Sequence, residues 1–158
     1  MAASSACRPL LSSPCKTLRL PPAADVLVEL RRTLSAWPRG QDGFFVLGCV
    51  GSVTAVDVRT AAPDALSTEG HKVHCLRECL EIISLSGTVD AEGGTHLHGV
   101  FSRSDGSVLG GHVMNDGPMT VFTTAELFLA SSGDEIYRRE LDPRSGYEEL
   151  VVVAKGEE

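Results

Sequence analysis

This chain has no apolar run approaching the roughly 20 residues that a membrane-spanning helix needs, so no membrane partner is expected. It is short of positive charge: 14 Lys and Arg stand against 21 Asp and Glu, a net charge of -7. That balance opposes direct nucleic-acid binding, which depends on Lys and Arg neutralising phosphates. None of its five cysteines (Cys7, Cys15, Cys49, Cys75, Cys79) forms a Cys-x-x-Cys pair, which removes the zinc-knuckle pattern. There is no Gly-x-Ser-x-Gly elbow for a hydrolase serine. The glycine pairs Gly93-Gly94 and Gly110-Gly111 do not open helices, so a phosphate-cradling loop is not expected. The odd cysteine count, with no secretory leader before it, points to free thiols in a reducing compartment: intracellular, cytoplasmic or nuclear. The first 24 residues lack Asp and Glu but carry Arg8, Lys16 and Arg19. Residues 1–14 read as a disordered tail, with an organelle-targeting segment as the alternative.

What is present describes one globular domain. Its 158 residues, 42% hydrophobic and 22% charged, suffice for a buried core. Lys16 to Leu20 is a short strand candidate. Val26, Leu27, Leu30, Leu34 and Trp37 recur at helical spacing, which predicts a helix over 25–37 that Pro38 stops. The rest reads as strands: 44–50 and 53–59, separated by a break at Gly51-Ser52, then 73–76, 80–89, the His96 and Val108 runs, 120–129, 136–139 and 149–153. Residues 61–70 read as a loop, Asn115-Asp116-Gly117 and 142–146 as turns, and 154–158 as an acidic tail. One early helical segment followed by many strands predicts an α+β domain around a largely antiparallel β-sheet.

Three histidines surround one predicted hairpin. His96 and His98 are two apart, so on a strand they share a face. Ser104-Asp105-Gly106 is the loop between this run and the one carrying His112. A three-residue loop with Gly106 in the left-handed conformation pairs Arg103 with Ser107 and sets His112 opposite His98. Three imidazoles then converge, as a three-histidine metal site with an open fourth position requires. A two-residue Asp105-Gly106 turn sends His112 to the other face instead. The sequence leaves both registers open.

Other candidates carry weaker signals. His71, His74, Cys75 and Cys79 form a rival metal cluster, although adjacent His74 and Cys75 diverge on a strand. Ser84, Ser86 and Thr88 alternate on one strand, where hydroxyls are ordinarily packing partners rather than nucleophiles. Glu126, Ser84 and Ser86 are candidates to support the histidines. Gly110-Gly111 suggests a bulge or a close backbone approach beside His112. Arg138, Arg139, Asp142, Arg144 and Glu149 suggest ion pairs at the surface or between subunits.

The order of these segments resembles the plants-and-prokaryotes conserved (PPC) domain, found in plant AT-hook nuclear-localised proteins and in single-domain prokaryotic relatives. The matching runs are Gly51-Ser52-Val53, Glu81-Ile82-Ile83-Ser84-Leu85-Ser86-Gly87-Thr88, His96-Leu97-His98, Ser104-Asp105-Gly106, Gly110-Gly111-His112 and Thr124-Ala125-Glu126. The match closes on Arg138-Arg139, Asp142, Gly146 and Glu149-Leu150, so it spans roughly residues 15–153. The resemblance implies a compact α+β fold with flanking helices that assembles as a homotrimer. It also implies zinc on His96, His98 and His112. DNA binding in plant members depends on an Arg-Gly-Arg-Pro hook that is absent here. Their partner-contact hexapeptide falls on Glu78 to Ile83, leaving Glu81, Ile82 and Ile83 as the candidate contact to regulatory proteins.

The expectation is therefore a stand-alone PPC domain over 15–153, homotrimeric, with a three-histidine zinc site. It acts as a binding module whose family is linked to DNA-associated regulation. The alternative is a zinc-dependent enzyme on a small molecule, using a metal-bound water with Glu126 as base.

Overall fold

A computed structural model describes residues 14–61 and 71–156. Residues 1–13 of the expected 1–14 tail, 62–70 of the expected 61–70 loop and the last two acidic residues lie outside the described residues. Strands are β1 (Cys15–Leu20), β2 (Phe44–Thr60), β3 (Lys72–Leu76), β4 (Leu80–Val89), β5 (Thr95–Ser102), β6 (Val108–Val113), β7 (Met119–Ser131), β8 (Glu135–Asp142) and β9 (Tyr147–Ala154). Helix α1 (Val26–Ala36) is the one helix among the described residues, where flanking helices in the plural were expected. Helical periodicity exists only in this segment; the other apolar residues alternate at strand spacing. No helix among the described residues is long and apolar enough to cross a membrane.

Asp25 caps α1 and anchors it. One carboxylate oxygen accepts from the Val28 N–H at 3.0 Å, and the other accepts from the Met119 N–H at 3.1 Å. The cap therefore also ties the helix to the start of β7. Val26, Leu27, Leu30 and Leu34 pack into a continuous core with Phe44, Leu85, Leu97, Phe101, Met119 and Leu127.

Seven strands form an antiparallel sheet in the order β1-β7-β2-β4-β5-β6, with β3 also paired to β2. Strand β2 runs through the expected break. Gly51 has φ +136°, and a Cβ there would lie 2.0 Å from the Thr124 carbonyl oxygen. The pairing of β2 with β7 shifts register around it, so Gly51 bends one long strand instead of ending it. That length gives β2 a second role. Its far end pairs with β6, Val58 opposite Val113 and Arg59 opposite His112, so the sheet curls back on itself. Gly111 permits this approach, since a Cβ there would sit 2.4 Å from the Arg59 carbonyl oxygen. Of the two expectations for Gly110-Gly111, the close approach is the one observed, and the β5–β6 register runs through it unbroken.

The β8–β9 hairpin is a separate two-stranded sheet. Buried Tyr137 docks it: its N–H donates to the Asp42 carbonyl at 2.8 Å, and its carbonyl accepts from the Ala91 N–H at 2.9 Å. Lys155 adds an ion pair to Asp42 at 2.8 Å.

Two substitutions test this account by thermal and urea unfolding. Asp25→Ala is expected to cost about 1 kcal/mol, the ordinary value of an N-cap. Gly111→Val forces β6 off β2 and is expected to cost about 1–3 kcal/mol, as overpacking does. An unchanged midpoint for Gly111→Val would mean that the β2–β6 closure is not required.

Candidate metal centre

Strand β5 alternates strictly. Thr95, Leu97, Gly99 and Phe101 face the core, while His96 and His98 face outward. The hairpin to β6 adopts the three-residue loop: the Arg103 N–H donates to the Ser107 carbonyl at 2.9 Å, and Gly106 takes φ +81°. His98 consequently pairs directly with His112. The three rings stand with centroids 5.2–5.5 Å apart, and one nitrogen from each lies within 4.8 Å of the others. His96 Nε2 and His98 Nε2 are 3.3 Å apart. Two nitrogens bound to one tetrahedral zinc at about 2.0–2.1 Å stand about 3.3–3.4 Å apart, so this pair already has the spacing of a tetrahedral edge. All-imidazole donors suit zinc chemically.

The surroundings favour the neutral ring at His96 and His112. Burial, then the Arg59 charge and the neighbouring histidines, pushes His112 down to about 4. Burial, then Arg139 and His98, also lowers His96, with Glu149 opposing. Metal ligation requires the neutral form, so the environment prepares both residues for it.

A cleft of about 810 Å³ opens beside His96 and His112, lined also by Arg59, Asp90, Arg139, Tyr147 and Glu149. Arg59 reaches it because its strand partner is His112, and its guanidinium lies over the Tyr147 ring at 5.6 Å. Tyr147 is held by a 2.8 Å hydrogen bond to His71 Nε2. Arg139 donates to Thr88 Oγ1 at 2.7 Å, lies 3.4 Å from His96 Nδ1 through Nη1, and stands 3.8 Å from buried Asp90. Asp90 is itself fixed by the N–H groups of Glu92 and Gly94.

Other expected residues are placed differently. Glu126 is exposed on β7 opposite Val50 and is not among the residues lining the cleft. Ser86 and Thr88 pair across the strands with His98 and His96, whereas Ser84 faces Val100 farther along. Ile82 is buried in the core, leaving Glu81 and Ile83 facing outward. The rival set is not gathered: His71 bonds Tyr147, and Cys75 and Cys79 are exposed. Among the described residues, His96, His98 and His112 are the only such group of three. Cys49 is buried, which pushes its thiol up to about 12 and removes it as a nucleophile at neutral pH. Asp142 and Arg144 form a local two-pronged ion pair. Arg59 and Tyr147 carry no sequence signal, because only the closure of the sheet and the hairpin fold bring them to the histidines.

Comparison with known proteins agrees with this architecture. The chain is 38% identical over 135 residues to the bifunctional protein GlmU of Synechococcus sp., spanning 85% of this chain but only 20% of that protein. A solved structure of a hypothetical protein from Salmonella is 31% identical, with a TM-score of 0.76 over 89% of this chain and 93% of that one. A metal-containing protein from Archaeoglobus fulgidus is 25% identical, with a TM-score of 0.71 over 88% and 94%. The family model for the Plants and Prokaryotes Conserved domain matches residues 16–133, and the chain belongs to that family.

Proposed function

We propose that this protein is a metal-dependent binding module: His96, His98 and His112 hold a zinc ion, and the domain works as a homotrimer. The carrying observation is the convergence of three imidazoles on one outward face, two of them already spaced as a tetrahedral edge. The similar structure described as metal-containing supports the same reading. A second reading, an enzyme on a small molecule, is favoured by one feature. The cluster has no fourth His, Cys, Asp or Glu among the described residues, and it borders an open cleft. Zinc there would act as a Lewis acid; Arg59 and Arg139 would orient a substrate, and Glu149 is the carboxylate lining both cleft openings beside the rings.

Self-association is supported by an apolar strip on the outer face of β2 and β7. Leu47, Val50, Phe122 and Phe128 are 60%, 52%, 45% and 44% exposed, more than a solitary soluble domain needs to show on one face. Three copies of this strip can cover one another about a three-fold axis.

Elemental analysis of the purified protein is expected to give about one zinc per chain, and His98→Ala essentially none, as loss of one of three ligands predicts. A well-folded wild type that stays metal-free after zinc addition sinks the proposal. In solution the mass is expected to be that of three chains, with Leu47→Glu plus Phe128→Glu shifting it to one; a monomeric wild type rules out the trimer. The metal-stripped protein carries a pH signature. His112 titrates near 4 when folded and about 6.5 when unfolded, so the unfolded chain takes up the extra proton first. Its stability is therefore full above about pH 6.5 and is lost as pH falls toward 4, and His112→Gln should flatten that decline in melting temperature.

A further inference from the structure

We infer that the cleft beside the three histidines is a receptor for a small oxyanion, a carboxylate or phosphate group. In this inference Arg139 is freed to bind the anion when the metal is in place, and Arg59 is a second contact. It rests on the metal reading above.

The argument begins with a proton. Arginine only donates, so the 3.4 Å approach of Arg139 Nη1 to His96 Nδ1 makes Nδ1 an acceptor. The neutral ring then carries its proton on Nε2, which faces His98 Nε2 at 3.3 Å. With Nε2 engaged by a cation, the ring must be the other tautomer, and its proton sits on Nδ1. Donor then faces donor, and the Arg139 Nη1 contact is lost. Thr88 still holds Nη2, so the guanidinium stays at the cleft with one edge unpaired.

The second cation is already uncommitted. Among the described residues no carboxylate lies within ion-pair distance of Arg59, whose described contact is the Tyr147 ring. Ring stacking orients a guanidinium without neutralising it. Two arginines thus line the cleft together with His96 and His112. Three neutral imidazoles leave the full charge of a divalent ion uncompensated, which adds to the demand for an anion. The carboxylates lining the same cleft are Asp90, Glu92, Glu148 and Glu149. Asp90 is buried; its Oδ1 accepts from two backbone N–H groups, and its Oδ2 stands 3.8 Å from Arg139 Nε, away from the Nη1 that the metal would free. Glu149 lines the cleft beside His96.

The test is calorimetric titration of acetate and of inorganic phosphate into zinc-loaded and metal-stripped protein, with acetamide as the neutral control. Arg59→Gln, Arg139→Gln and Arg139→Lys are run beside the wild type, and metal content is measured for each. Binding of either anion, but not acetamide, to the loaded protein alone supports the inference, and which anion binds more tightly identifies the class. Each Gln variant should keep its zinc and lose about tenfold in anion affinity, the scale of one charge-assisted hydrogen bond. Unchanged affinity in both Gln variants at full metal content overturns the inference and leaves the metal site standing, as it would if Glu149 takes the freed guanidinium. Equal binding with and without metal also overturns it. A wild type that holds no zinc overturns the metal reading and this inference together. Should Arg139→Gln fail to fold, Arg139→Lys and the independent Arg59→Gln decide the matter.

Discussion

Much of this structure depends on the short pairing between the far end of β2 and β6. Two residue pairs, Val58 with Val113 and Arg59 with His112, close the curled sheet. Val58 and Val113 turn into the core, so by the two-residue period of a strand Arg59 and His112 turn outward together. One contact therefore seals the core and delivers both the His112 ring and a guanidinium to the same cleft. A glycine at 111 is what allows the backbones to meet.

The cleft balances charge by geometry. Burial of the His96 and His112 rings, and then the arginines beside them, disfavour imidazolium there. The neutral form is the one that a metal ion would require. The carboxylate of Asp90 is shared between backbone N–H groups on Oδ1 and an ion pair to Arg139 on Oδ2, while Arg59 lies over the Tyr147 ring. The β8–β9 hairpin completes the enclosure through Arg139, Tyr147 and Glu149, although it shares no ladder with the main sheet. Its buried Tyr137 supplies the docking point that a ladder would otherwise provide.

Family membership and mostly β architecture were legible in the sequence, and so were the helix after Ala24 and the strands around the histidines. These rest on local rules: apolar period, helix-stopping proline and turn residues act over a few positions. Gly51 misled for a physical reason. A glycine with positive φ in a strand can mark an end or a bend, and only its neighbour Thr124, 73 positions away, distinguishes them. The last four residues of the hexapeptide window were legible as the start of a strand, but which of their side chains face inward followed from packing, and Ile82 went to the core.

By itself the sequence determined that His96 and His98 share a face, because the period of a strand allows nothing else. It also supplied the Asp105-Gly106 chemistry from which either hairpin register could be built. Tertiary structure decided between them. The three-residue loop buries Val113 against Val58, and a one-residue slip would turn that valine outward and His112 into the core. Only folding could place Arg59, Arg139, Tyr147 and Glu149 around the rings. They come from strands distant in sequence, and their positions are set by sheet closure and hairpin docking, for which no local pattern exists.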